Sequence, residues 1–135
     1  MPDTFPPSVA HVRIELFIGL HSAGADNGPN IVAARELDAL NIVRDQFDAF
    51  SASRIVGYWR GGSEESLHVV AIVPDSPLAR DRAVETARAA AASLRQECVA
   101  VAFGPVAFTL VSPDARDSDK ARAAADYGGT IDRYR

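Results

Sequence analysis

The sequence predicts an α+β fold in which two helices cover one face of a four-stranded antiparallel sheet. Three observations carry this prediction. Segments with the apolar spacing of strands alternate along the chain with segments of helical spacing. A glycine-containing turn joins two strand-like segments in the middle of the chain. Finally, 135 residues, of which 47% are hydrophobic, suffice to bury one core without disulfide bonds or metal ions.

The first strand is predicted at residues 11–20, because its apolar residues recur with a period of two. One face of this strand is fully apolar and comprises Val12, Ile14, Leu16, Ile18 and Leu20. The other face is mixed and comprises His11, Arg13, Glu15, Phe17 and Gly19. Turn residues fill the segment 21–30, and Asn30 is the expected N-cap of the helix that follows.

Two amphipathic helices are predicted, at residues 31–50 and 78–96. The apolar stripe of the first comprises Ala33, Leu37, Leu40, Val43, Phe47 and Phe50. The stripe of the second comprises Val84, Ala87, Ala91 and Leu94, and its alanines allow close approach to a sheet. Ser76 is the expected cap of the second helix, with Pro77 at the first helical position.

A β-hairpin is predicted between the helices, with strands near residues 53–60 and 66–74. Residues 61–65 are expected to form its loop, because two glycines followed by polar residues suit a hairpin loop. Glu64 and Glu65 follow these glycines and are expected to be solvated loop charges.

The last strand is predicted at residues 98–103, with a break or kink at Gly104-Pro105 and a strand-like continuation at 106–111. Cys98 opens this apolar run, and we expect it to be a buried structural residue. A single cysteine forms no intrachain disulfide bond.

The order strand, helix, strand, strand, helix, strand is that of the ferredoxin-like βαββαβ sandwich. Right-handed crossovers would place both helices on one face of the sheet, with the first and third strands in its middle. The predicted organisation is a flexible N-terminus at residues 1–9, a ferredoxin-like domain at 10–112, and a C-terminal tail or short helix at 113–135.

The third strand is apolar on both faces from Leu67 to Val73, except at His68. A central strand of this kind needs cover on the side away from the helices. The C-terminal tail or a second subunit can supply that cover. We favour a homo-oligomer that packs through its sheets.

Composition excludes several classes of partner. The net charge of −4 argues against a nucleic-acid-binding protein, which usually shows a clustered basic face. No apolar run reaches the ~18 residues that span a bilayer, and residues 1–7 lack the pattern of a secretory signal. The sequence therefore predicts a soluble cytoplasmic protein.

Sequence motifs for metals and cofactors are absent, so that neither is predicted. There is no phosphate-binding or dinucleotide-binding glycine pattern. His11, His21 and His68 lack the spacing of a metal motif. The segment 26–30 resembles part of a calcium loop without its closing glutamate, and a turn with a helix cap explains it better.

The mixed face and the hairpin tip supply the candidate site. An arginine beside an aromatic ring can hold an anionic or planar ligand. The candidate ligand-binding residues are Arg13, Phe17, Tyr58, Trp59, Arg60 and His68. If the protein were an enzyme, His68 beside Glu15 could serve as general acid or base. The same residues would equally suit an oligomer interface with an Arg–Glu pair and hydrogen-bonded histidines.

The segment 57–66, Gly-Tyr-Trp-Arg-Gly-Gly-Ser-Glu-Glu-Ser, combines a G-x-W-x-G turn with an acidic pair before a strand. Gln96-Glu97 precedes the last strand. In these features the chain resembles small ferredoxin-like proteins of bacteria and their phages, over about half of its length. The resemblance implies the fold, and it brings no catalytic residues with it.

The predicted function is that of a non-enzymatic, oligomeric domain of an accessory type. It would bind a small anionic or nucleotide-like ligand, or a protein partner, through its sheet face and hairpin. One alternative is a cofactor-free enzyme of the dimeric αβ-barrel type, an isomerase, decarboxylase or oxygenase with a histidine base. Another is a structural assembly subunit. The sequence leaves open the identity of the ligand, the oligomer number and the role of the tail.

Overall fold

The computed structural model describes residues 10–111 and residue 113, which contain six helices and strands. In chain order they are β1 (His11–Gly19), α1 (Pro29–Arg44), β2 (Ser51–Trp59), β3 (Gly62–Pro74), α2 (Pro77–Leu94) and β4 (Ala100–Val106). The sheet order is β2-β3-β1-β4, and all neighbouring strands are antiparallel. This confirms the predicted α+β, ferredoxin-like arrangement with the first and third strands in the middle. The predicted N-terminus (1–9) and tail (113–135) lie, apart from residue 113, outside the described residues.

The core lies between the sheet and the two helices. Alternate residues of the central strands are buried there: Val12, Ile14, Leu16 and Ile18 from β1, and Leu67, Val69, Ala71 and Val73 from β3. Each large aliphatic side chain buried in this way contributes about 1.5–3 kcal/mol through the hydrophobic effect. The period of two on β1 is thus the pattern that fixes which face of the sheet meets the helices.

Helix α1 begins at Pro29, two residues before position 31, where a cap at Asn30 would have placed its start. Gly28 is the N-cap and Pro29 the first helical residue, where its missing N–H needs no partner. The Oδ1 atom of Asp26 accepts a hydrogen bond from the Gly28 N–H at 2.9 Å. The prediction of a turn followed by a helix cap is therefore confirmed, but the cap is Gly28 and not Asn30.

The buried stripe of α1 coincides with the predicted one only in part, since Leu40, Val43, Phe47 and Phe50 lie in the core or pack against it. Val32, Ala39 and Val43 face the core, whereas Leu37 is 55% exposed and Ala33 is exposed as well. The helix ends at Arg44, and Phe47 reaches the core from the turn beyond it. Both stripes have helical spacing, so that the sequence pattern alone does not choose between them.

Helix α2 has the predicted start and a nearly complete alanine face. The Oγ atom of Ser76 accepts a hydrogen bond from the Ala79 N–H at 3.0 Å. The buried residues of the helix are Ala79, Ala83, Thr86, Ala87, Ala90 and Leu94. The helix ends at Leu94, and its C-cap Arg95 has the left-handed backbone angles φ 55° and ψ 44°. Glycine usually occupies such a C-cap, because a side chain there is strained.

The hairpin between β2 and β3 has a two-residue turn in place of the predicted loop at residues 61–65. Arg60 and Gly61 form its two-residue turn, with φ angles of 49° and 80°. Positive φ angles at both positions match the twist of the flanking strands. Glu64 and Glu65 consequently belong to β3 and are half-buried, which corrects their prediction as solvated loop charges.

Strand β4 runs through Gly104-Pro105 without a break and ends at Val106. It is the edge strand beside β1, where a proline costs no ladder hydrogen bond if its nitrogen faces outward. The predicted strand-like continuation at 107–111 is not a strand. Neither described helix is both long and apolar enough to cross a membrane.

Candidate ligand site

The sheet has one face packed on the helices and one face turned away from them, here called the open face. The open face carries the mixed residues of β1 together with Ser66 and His68 of β3. The register places Gly19 opposite Ser66, and Phe17 opposite His68. The pleat of the two central strands thereby decides which polar side chains become neighbours.

A cluster of four predicted residues lies on the open face: Arg13, Phe17 and His68 of the predicted ligand site, and Glu15 of the alternative catalytic pair. Nε2 of His68 is 2.9 Å from Oε1 of Glu15. The ring of Phe17 stacks on the imidazole, with centroids 4.7 Å apart and an interplanar angle of 16°. A guanidinium nitrogen of Arg13 lies 3.6 Å from the same Glu15 oxygen. The carboxylate therefore orients the imidazole from one side, and the phenyl ring covers part of it.

A cavity of about 450 Å³ lies beside this cluster, at the end of the sheet where the hairpin turns. It is lined by Phe17, Gly19, His21, Ala23, Gly57, Tyr58, Arg60, Glu64, Ser66, Arg95, Gln96, Glu97, Cys98 and Ala100. Its volume lies within the range of about 300–1,000 Å³ that is typical of small-molecule sites.

The structure brings only part of the predicted site to this cavity. Phe17, Tyr58 and Arg60 line it, whereas Arg13 and His68 do not. The backbone of Trp59 pairs with Gly62 at the end of the hairpin, and its side chain is outside what the structure describes.

Two glycines shape the cavity wall. A Cβ atom on Gly19 would lie 2.5 Å from Oε1 of Gln96 and 2.7 Å from Oε1 of Glu64. A Cβ atom on Gly57 would lie 3.1 Å from Oγ of Ser66. The side chains of Glu64 and Gln96 thus occupy the space that a larger residue at position 19 would need.

Gln96 is held in a fixed orientation over Gly19. Its Nε2 atom donates to the backbone oxygens of His21 and Leu94. The amide nitrogen is engaged by these backbone oxygens, and the amide oxygen lies over Gly19, as does Oε1 of Glu64. The floor of the cavity therefore presents oxygen atoms that accept hydrogen bonds.

The rim of the cavity carries opposite charges. Arg60, Arg95 and Glu97 belong to its lining, and a carboxylate oxygen of Glu97 lies 4.0 Å from the guanidinium of Arg60. No acidic residue of the described ranges forms an ion pair with Arg95. Cys98 also lines the cavity and is exposed, which corrects its predicted burial: it belongs to the segment that links α2 to β4 and precedes the strand.

A polar network ties the cavity wall to the first helix. Arg54 of β2 donates to Glu36 of α1 at 2.8 Å and lies 3.6 Å from a carboxylate oxygen of Glu65. The hydrogen bond to Glu36, together with the negative charges of Glu36 and Glu65, raises the pKa of Arg54 above its usual value. Nε2 of His21 lies 3.5 Å from the other oxygen of Glu65.

Several cavity residues went unrecognised in the sequence. Gly19, Ser66 and Gln96 are ordinary residues of a strand or helix end when they are considered one by one. Gly19 and Ser66 are brought together by the cross-strand register, and Gln96 joins them from the segment after α2; a single sequence shows neither arrangement. Within residues 10–111 and 113, no three His, Cys, Asp or Glu side chains are grouped as they would be around a metal ion.

No family model matches this chain, and no curated protein matches it. Among solved structures, it is similar to a phage SAM lyase in complex with S-methyl-5′-thioadenosine. The two share 19% sequence identity and superpose with a TM-score of 0.47, over 77% of this chain and 86% of that chain. A similarity at this level says nothing about what the present chain binds.

Proposed function

We propose that this chain is a non-enzymatic binding protein that holds a small anionic, nucleotide-like ligand in the cavity at the hairpin end of the sheet. The observation that carries the proposal is the cavity itself. It combines about 450 Å³ of space with two aromatic residues and two arginines in its lining. Sites for small molecules commonly pair an apolar wall with a few polar groups that fix the orientation of the ligand.

The arginines supply the reason to expect an anion. A guanidinium group offers a planar set of donors that fits a phosphate or a carboxylate. The side chain of Arg95 forms no ion pair with any described residue, and the left-handed cap of α2 sets its position. It is therefore available to pair with an anionic ligand.

The aromatic residues supply the reason to expect a planar group. Phe17 is 37% exposed and Tyr58 81% exposed, although both are large. Stacking between aromatic groups contributes about 0.5–1.5 kcal/mol beyond the burial of their surface. A planar ligand would cover rings that the described residues leave open to solvent.

Thermal unfolding in the presence of candidate ligands tests the proposal. The panel comprises the four ribonucleoside 5′-monophosphates, ribose 5-phosphate, citrate and inorganic phosphate. A ligand at ~100 times its dissociation constant stabilises a protein by about 2.7 kcal/mol, so that the midpoint rises by several degrees. A midpoint that none of these compounds raises would contradict the proposal.

We further propose that the chain forms a homo-oligomer through its open face. The support is the open face itself, on which Val70 and Ile72 are half-buried and Phe17 is exposed. Packing two such faces together would remove this apolar surface from water. Light scattering after size-exclusion chromatography measures the mass, and a monomer at micromolar concentration would contradict this part. An oligomer without any ligand would favour an assembly subunit instead.

One contact favours a second candidate, the histidine-dependent enzyme. The 2.9 Å approach of His68 Nε2 to Glu15 Oε1 is the geometry of a carboxylate-oriented base. His68 nevertheless lies outside the lining of the cavity, behind Phe17. Proton NMR of each binding compound with the protein decides between the two: conversion that His68→Gln abolishes supports the enzyme, and unchanged compounds support binding alone.

A further inference from the structure

The hydroxyl group of Ser66 is buried without a partner. Ser66 is 7% exposed and lines the cavity, and none of the described residues forms a hydrogen bond with its hydroxyl. A buried hydroxyl that lacks a hydrogen bond costs about 1–3 kcal/mol. An alanine at this position of β3 would avoid that cost, so that a structural role does not explain the serine.

Glycine residues beside Ser66 keep its hydroxyl accessible from the cavity. Gly19 lies directly opposite on β1 and contributes no side chain that could cover it. On the other side, a Cβ atom on Gly57 would approach the hydroxyl to 3.1 Å. Side chains at these two positions would close the space above Ser66.

Hydrogen-bond acceptors surround this space. Oε1 of Glu64 and Oε1 of Gln96 both lie over Gly19, next to Ser66 in the sheet. Neither the hydrogen bonds nor the ion pairs of the described residues engage the Glu64 carboxylate. A carboxylate accepts hydrogen bonds and does not donate them, so that the complementary ligand group is a donor.

We propose that Ser66 contacts the ligand, and that Ser66, Glu64 and Gln96 form a subsite for hydroxyl groups of that ligand. This inference rests on the proposed function and specifies it. The ligand has two ends: its anionic group meets Arg95 at the rim, and its hydroxyl groups lie on the cavity floor. Compounds with both features, such as ribonucleotides and sugar phosphates, are the expected class.

The test compares ribonucleoside 5′-monophosphates with their 2′,3′-dideoxy counterparts by isothermal titration calorimetry. The two series share base and phosphate, and only the first carries ribose hydroxyls. We expect the wild-type protein to bind the ribonucleotide roughly 5- to 100-fold more tightly. Ser66→Ala removes the hydroxyl, and Gly57→Ala covers it, so that both variants should lose most of this preference.

Matched controls lie on the same sheet. Ser53→Ala removes an exposed hydroxyl of β2, and Gly104→Ala adds a methyl group where nothing lies within 4 Å. Both should keep the preference. Equal binding of the two nucleotide series by the wild type would overturn the subsite and leave the proposed function standing. Failure of every nucleotide to bind would overturn both.

A measurement without ligand provides a second check. Because Ser66 carries the cost of an unpaired hydroxyl, Ser66→Ala should leave the urea midpoint unchanged or raise it. A structural serine with a hydrogen bond would instead give a lower midpoint on substitution. A clear loss of stability in Ser66→Ala would therefore overturn the proposal even if nucleotides bind.

Discussion

Nε of Arg54 lies 2.8 Å from Oε2 of Glu36, so that one ion pair joins the edge strand β2 to helix α1. Arg54 also approaches Glu65 of β3, whose carboxylate in turn lies near His21 at the cavity. The edge strand is thus held to its neighbours by charge as well as by the hydrogen bonds of the sheet. The chain of contacts runs from the first helix to the wall of the proposed site.

We expect Arg54→Gln to loosen β2 specifically. Glutamine removes the charge that attracts both carboxylates while it keeps a polar side chain of similar shape. Hydrogen exchange should become faster at the amides of β2 and remain unchanged at those of β1. The difference from wild type should shrink at high salt, because screening weakens the exposed ion pairs.

Arg88→Gln is the matched control for this experiment. Arg88 pairs with Glu85 within helix α2, so that its loss severs no connection between elements. Exchange in β2 should then equal that of the wild type. Equal exchange in Arg54→Gln would show that the sheet hydrogen bonds alone fix the edge strand.

Arg95→Gly should separate stability from ligand binding. Arg95 has a φ angle of 55°, which glycine adopts without strain, so that the substitution should raise the free energy of unfolding by about 1 kcal/mol. It also removes the guanidinium that we assign to the anion, and affinity for nucleoside monophosphates should fall roughly tenfold or more. Urea titration and calorimetry measure the two effects.

Arg88→Gln again serves as the charge-matched control, because it removes an exposed guanidinium from the outer part of the same helix. It should leave nucleotide affinity unchanged. A more stable Arg95→Gly protein with wild-type affinity would place the anionic group of the ligand elsewhere.

The fold was predictable because its strongest signals are local. The period of two on β1 and the Ser76-Pro77 start of α2 both reappear in the structure. The errors arise where two local solutions are nearly equivalent. Either stripe of α1 has helical spacing, and the hairpin can close with a loop at residues 61–65 or with a two-residue turn at Arg60-Gly61. In both cases tertiary packing makes the choice, and a single sequence does not display it.

The candidate site was predictable only in part, for the same reason. Phe17 and Tyr58 stand out as aromatic residues on strands, and the structure places both at the cavity. Ser66 and Gly19 carry no such signal, because their importance depends on their lying opposite each other on two neighbouring strands, although they are far apart in the sequence. Gln96 reaches the cavity only because α2 ends beside it.

The alanine face of α2 limits the size of the residues beneath it. Ala83 is fully buried on this face, and it is part of the core that includes β1. Ala83→Leu should lower the free energy of unfolding by about 1–3 kcal/mol, because extra methylene groups force the helix away from the sheet. Ala89→Leu, at an exposed position of the same helix, should change stability little. Urea midpoints that are equal for the two variants would mean that the helix packs more loosely than its burial indicates.

Gly19→Ala should impair binding while the fold persists. The added methyl group requires the ends of the Glu64 and Gln96 side chains to move, and both are flexible enough to do so. Alanine also restricts the unfolded chain, which stabilises the folded state by about 0.4–1 kcal/mol. This gain offsets the loss of the hydrogen bond from Gln96 to the backbone oxygen of His21. We therefore expect a urea midpoint close to that of the wild type and a much weaker preference for ribonucleotides over dideoxynucleotides. Gly104→Ala adds the same methyl group to the same sheet away from the cavity and should preserve that preference. Wild-type preference in Gly19→Ala would show that the two side-chain oxygens over Gly19 do not contact the ligand.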